Sequence, residues 1–239
     1  MNDIKISGSG SVSGGEYNNV KISGSGHVNG DISCRSFAAS GSTKVDGNIK
    51  CDDFASSGSS HVKGMMDCSG ALASSGSLVV NGSLHVDTAR CSGSLKVSDD
   101  MDAREVQLSG AASIGGGLSA EKVVISGSAK IRGLLNAEVA DISVGWGNTE
   151  CDIGSIGGGS ITVKRKMGGM VFGMRKYMYC IFLHTTSIEA DKVEIECTEA
   201  QTVRAIDAVI GDGCNIGTVE YSGTLTVSDN ATVGKTVKI

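Results

Sequence analysis

The chain has no proline at all, and aromatic residues make up only 4% of its 239 positions. Proline lacks the backbone donor that a sheet ladder needs, so a chain paired strand above strand along its length has few places for it. With so few aromatics, any core must be built from small and branched aliphatic side chains, which suits a narrow interior. No run of 18 apolar residues occurs, so no transmembrane helix is expected. The first residues, MNDIKISGSG, lack the apolar stretch of a signal peptide. The eight cysteines include no CxxC pair, so zinc has no local signature and reduced thiols in a cytoplasmic protein are the expectation. The net charge of -5 gives no reason to expect nucleic acid as a partner.

What is abundant is glycine, 35 residues, beside a hydrophobic fraction of 40%. A disordered Gly/Ser linker would lack the Val, Ile and Leu present here. Ser-Gly recurs at Gly24, Gly41, Gly58, Gly76, Gly93, Gly110 and Gly127, in steps of 17 residues with a single step of 18. A second glycine column runs through Gly30, Gly47, Gly64, Gly82, Gly116 and Gly133, with Asp99 taking one place. Positive φ at tight corners is the expected reason for these glycines. Aliphatic columns keep the same phase: Val28, Val45, Val62, Val80, Val97, Ile114, Ile131; Ile32, Ile49, Met66, Leu84, Met101, Leu118, Leu135; and Phe37, Phe54, Leu72, Ala89, Val106, Val123. Within a coil the alternation has period two, as in Lys44-Val45-Asp46. These runs are too short to be stable strands alone but can pair with the coils on either side. The prediction is an all-β chain, a single-stranded parallel β-helix of about 17 residues per coil. Some eight coils from Ile4 to Ala137 would rise roughly 40 Å at the strand spacing. The one 18-residue step, between Cys68 and Leu72, is expected in a corner loop, because an extra residue inside a strand would flip its faces.

Regularity changes along the chain. Residues 1–144 read as regular coils, 145–186 as an irregular region carrying a basic and apolar insertion, and 187–239 as further, less regular coils. The insertion brings Lys164, Arg165, Lys166, Arg175 and Lys176 beside Met167, Met170, Phe172 and Met174. A basic–apolar–basic pattern suits an anionic membrane surface or a partner, and equally a hairpin laid on the solenoid.

The columns hold little chemistry. Cys34, Cys51 and Cys68 share an inward column continued by Val86, Ala103, Ala120 and Ala137, so they read as small hydrophobes in the core, with a metal site or a disulfide as the lesser readings. His27, Lys44, His61, Lys96 and Lys130 form an outward stripe, either a solvated face that discourages lateral pairing or a surface for an acidic partner or lipid headgroups. No Ser has a His–Asp pair at fixed offset, and no Gly-rich run precedes a Walker-type lysine, so no catalytic, cofactor or metal residue is named.

The coil pattern Ser-Gly-x3-Val-x-Gly-x-Ile, as in SGSTKVDGNIKC (40–51) and its counterpart SGSSHVKGMMDC (57–68), resembles the bactofilins, bacterial polymer-forming cytoskeletal proteins. The resemblance implies a right-handed β-helix that assembles end to end without nucleotide, often at the inner membrane face. Two departures are the absence of Pro-rich tails and the presence of the basic insertion.

Independently, a β-helix ends in unpaired strand edges that template another chain unless capped. Ile4 and Ile6 at one end and Val233, Val237 and Ile239 at the other are therefore the candidate polymer contacts. The expected function is structural, a homo-polymer in the cytoplasm or peripheral at the inner membrane, and not an enzyme. The rivals are a β-helix adhesin or binding module, a hexapeptide-type acyltransferase, whose coil is 18 residues, and a polysaccharide lyase, whose carboxylates cluster.

Overall fold

Strands of four to nine residues need neighbours, and here each finds one in parallel about 17 residues along the chain. A computed structural model describes residues 2–144, 150–165 and 183–239. Among the described residues there is no helix. The fold is a β-solenoid, as the repeat predicts. It divides into two compact units, Met1–Glu121 and Lys122–Ile239.

The first unit opens with β1 (Asn2–Ile6), β2 (Ser9–Ile22) and β3 (Ser25–Ala39). Short and long strands then alternate: β4 (Ser42–Val45), β5 (Ile49–Ser56), β6 (Ser59–Val62), β7 (Met66–Ser74), β8 (Ser77–Val80), β9 (Leu84–Cys91), β10 (Ser94–Val97), β11 (Met101–Leu108) and β12 (Ala111–Ile114). The short strands stack on short strands and the long on long. Register places like above like, so Ile32, Ile49, Met66, Leu84 and Met101 form one column, each at most 2% exposed. Phe37 and Phe54 stack with ring centroids 5.3 Å apart.

Two further inward columns flank each Ser-Gly corner and vary in residue type from coil to coil. Ile22 faces Gly26, Ala39 goes with Thr43, Ser56 with Ser60, Ser74 with Leu78, Cys91 with Leu95, and Leu108 with Ala112. A Cβ on Gly26 would sit 2.7 Å from Ile22 Cγ2, so Ile22 leaves no room for a side chain at position 26. Ser56 and Ser60 satisfy each other at 2.8 Å.

Gly30 has the expected positive φ, but the glycines of the Ser-Gly column serve another purpose. Among the described glycines, positive φ occurs in Gly15, Gly30, Gly158 and Gly213, and in none of the Ser-Gly column. Close approach explains that column instead. A Cβ on Gly41, Gly58, Gly76, Gly93 or Gly110 would lie about 2.0 Å from the carbonyl oxygen of the preceding coil's glycine. Side chains at the other corner support the stack from outside. Asp31 Oδ1 accepts the Asn48 N–H at 2.7 Å, Asn48 Oδ1 accepts that of Met65 at 2.9 Å, and Asp100 Oδ1 accepts that of Gly117 at 2.7 Å.

The 18-residue step is corrected as well. It lies inside β7 as a bulge, between the pairs Cys51↔Cys68 and Phe54↔Leu72. Asp53 Oδ1 accepts the Ala71 N–H there at 3.0 Å, which holds the bulge and restores the in/out phase.

β13 (Leu118–Ile125) leads into the second unit, which holds β14 (Ser128–Val144), β15 (Cys151–Arg165), β16 (Leu183–Ile195), β17 (Thr198–Ile210), β18 (Asn215–Tyr221), β19 (Leu225–Val227) and β20 (Thr232–Lys238). Leu135, Ile156, Ile188, Val203 and Val219 form its central column, each at most 1% exposed. Of the region expected to be irregular, residues 145–186, the described part is β15 with the start of β16. β15 pairs in parallel with β14 and with β16, so this stretch is itself a coil.

Candidate functional site

Inward positions are sealed by the coils above and below them, so an inward residue that stays accessible marks an open edge. In β1, Ile4 and Ile6 are half-buried, whereas their register partners Val20 and Ile22 are at most 1% exposed. In the second unit, Val227 stands over Ile210 and is 39% exposed against 0%. Leu225 over Ala208 and Val233 over Ile216 are half-buried in the same way. Among the described residues, β1 pairs in register with β2, β19 with β17 and β20 with β18.

Of the residues the sequence singled out, Ile4, Ile6 and Val233 thus lie on inward columns at open edges. Val237 lies over Glu220 on an outward column, and Ile239 is 64% exposed, its N–H bonded to the Tyr221 carbonyl at 2.9 Å. Leu225 and Val227 were missed. The short run Leu225-Thr-Val227 shows the right alternation, but its inward face is settled only by register with Ala208 and Ile210.

The basic insertion is placed only through its flanks. Lys166, Met167, Met170, Phe172, Met174, Arg175 and Lys176 lie outside the described residues. Lys164 pairs with Glu194 at 3.3 Å. The Arg165 N–H is accepted by the Glu196 carboxylate at 2.9 Å, and the Leu183 N–H by the Cys197 carbonyl at 3.3 Å. The next coil therefore fixes both the departure and the return of the chain. The described flanks are in register with one another, Val144 with Arg165 and Cys151 with Leu183.

The outward stripe is confirmed in register from His27 through Lys44 to His61. It is less cationic than the sequence suggests, because Asp46 sits among its members. Asp46 contacts Lys63 at 2.8 Å, His27 at 2.6 Å and Lys44 at 3.5 Å. Hydrogen bonds from Lys63 and then His27 hold its carboxyl well below the usual carboxylate range. His61 bonds Asn81 at 3.3 Å.

Cys34, Cys51 and Cys68 stack in register and are buried, as core residues should be. Burial pushes the Cys34 thiol up to about 12, with Cys51 adding to it. Cys51 is raised further, first by its bond to Cys68 and then by burial. Among the described residues, no cluster of three or more His, Cys, Asp or Glu side chains has the arrangement of a metal site.

Against known proteins, the chain is 41% identical over 81 residues to the uncharacterized protein YhbF of Bacillus subtilis (strain 168), a match covering 34% of this chain and 32% of YhbF. It is 44% identical over 52 residues to the uncharacterized protein YhbE of the same organism, covering 22% of each. The matches thus span a third or less of either relative. No family model matches the chain, and no solved structure matches it.

Proposed function

We propose that the chain is a structural protein that associates with copies of itself through the edges of β1 and of β19–β20, in the manner of the bactofilins it resembles. The observation that carries this reading is the exposure of Val227 over the sealed Ile210 in the second unit, with the half-buried Ile4 and Ile6 in β1 of the first. Strand edges offer unpaired donors and acceptors in register, and apolar inward residues beside them gain by being covered. Self-association places the next copy's strand where the next coil would lie. The site of action is the cytoplasm, peripheral at an anionic membrane face where the basic insertion makes contact.

The test is sedimentation velocity of the wild type and of a Leu225→Lys/Val227→Lys variant at physiological salt. Large assemblies for the wild type and small species for a folded variant support the reading. Identical profiles dominated by single chains would remove it. An adhesin remains the competing class, and a cell-fractionation experiment that places the protein outside the cell would favour it.

A further inference from the structure

Cys51 and Cys68 lie on adjacent coils, in register, with their sulfurs 2.9 Å apart. Two sulfurs in ordinary van der Waals contact would stand farther apart, and a disulfide requires about 2.05 Å. Successive coils hold in-register Cα atoms at about 4.8 Å, inside the range a disulfide spans. Both residues are sealed in the core, at 3% and 1% exposed. Their neighbours in the column are Cys34 on one side and Val86 on the other.

We propose that Cys51 and Cys68 are a coil-to-coil oxidation site, closed to a disulfide by hydrogen peroxide. Two S–H bonds break and one Sγ–Sγ bond forms. The two protons and two electrons pass to the peroxide, whose O–O bond breaks to give two waters. A thiolate attacks peroxide first and breaks the O–O bond, leaving a sulfenic acid; the hydroxide released takes up the proton the thiol lost and becomes one water, and the second thiol then displaces the other water. Burial disfavours the thiolate, so the reaction waits on local opening of the coil, and the geometry determines which pair closes. Because 17 residues separate the two cysteines, the product ties one coil to the next at the place where the bulge interrupts register. Cys34 is the third member of the column, in register with Cys51, and supplies the rival pairing.

The experiment treats the folded wild-type protein with peroxide, quenches it, unfolds it and counts thiols by alkylation and mass spectrometry. The expected result is a loss of two alkylatable thiols per chain, a mass lower by about 2 Da before alkylation, as the loss of two hydrogens requires, and a peptide linked through Cys51 and Cys68. Cys51→Ala and Cys68→Ala, which place in the column the small residue that Ala103 supplies further along it, should abolish the link. Cys91→Ala should leave it intact. An unchanged thiol count, a Cys34–Cys51 link as the main product, or oxidation only to sulfinic acid would each overturn the assignment. Peptide mapping of the wild type decides the matter even if a variant fails to fold.

Discussion

A Cβ added to Gly58 would lie 2.0 Å from the carbonyl oxygen of Gly41, one coil away. That distance explains why the Ser-Gly pair recurs. The coils approach so closely at this corner that hydrogen is the largest substituent the position accepts. Gly58→Ala should therefore destabilise the protein by about 3 kcal/mol, the upper end for overpacking, because the obstructing atom is backbone. Gly8, whose Cβ would meet nothing within 4 Å, is the control, and Gly8→Ala should stay within about 0.5 kcal/mol. Urea unfolding of both variants measures the difference.

The Phe37–Phe54 pair fills the first coils where later ones have Leu72 and Ala89. Phe54→Ala should cost about 3–5 kcal/mol through the cavity it leaves. Phe54→Leu should cost less than about 1.5 kcal/mol, since the same column takes a leucine at Leu72. Urea midpoints for the two variants give the ratio.

Asp46 predicts a pH dependence with a definite sign. Its folded-state pKa is depressed by Lys63 and His27, so its stabilising effect is fully present above the ordinary carboxylate pKa of about 3.9 and fades as pH falls below it. Asp46→Asn should lower the unfolding midpoint at pH 7. The gap between variant and wild type should narrow below about pH 4. A gap that stays constant from pH 7 to pH 2 would mean that packing, not charge, sets the effect.

The columns of Val28, Ile32 and Phe37 were legible because each keeps one kind of residue for many coils. The corner columns were not. Ile22 with Gly26 and Leu108 with Ala112 set a large residue beside a small one, and along the coils neither column shows a constant type. The purpose of the glycines was also hidden, because a sequence cannot separate positive φ from close approach; Gly30 at φ 97° needs the first and Gly41 the second. The bulge at Ser69–Gly70 was visible as an added residue, but its place inside a strand depends on the bond between Asp53 and the Ala71 N–H. The edge residues Leu225 and Val227 emerged only from register, whereas Ile4 and Ile6 could be read from alternation near the start.

The insertion gives a prediction that rests on sequence. Changing Met167, Met170, Phe172 and Met174 together to Ser should reduce co-flotation of the protein with anionic liposomes, and neutral liposomes should bind neither form. Equal flotation of variant and wild type would assign the insertion to packing on the solenoid.

The central claim, that open coil edges join copies of the chain, is most directly tested by negative-stain electron microscopy of the purified protein at physiological salt. The wild type should form elongated polymers one solenoid wide, and Leu225→Lys/Val227→Lys should lose them. Single particles no longer than one chain, at every concentration where the wild type stays folded, would contradict it.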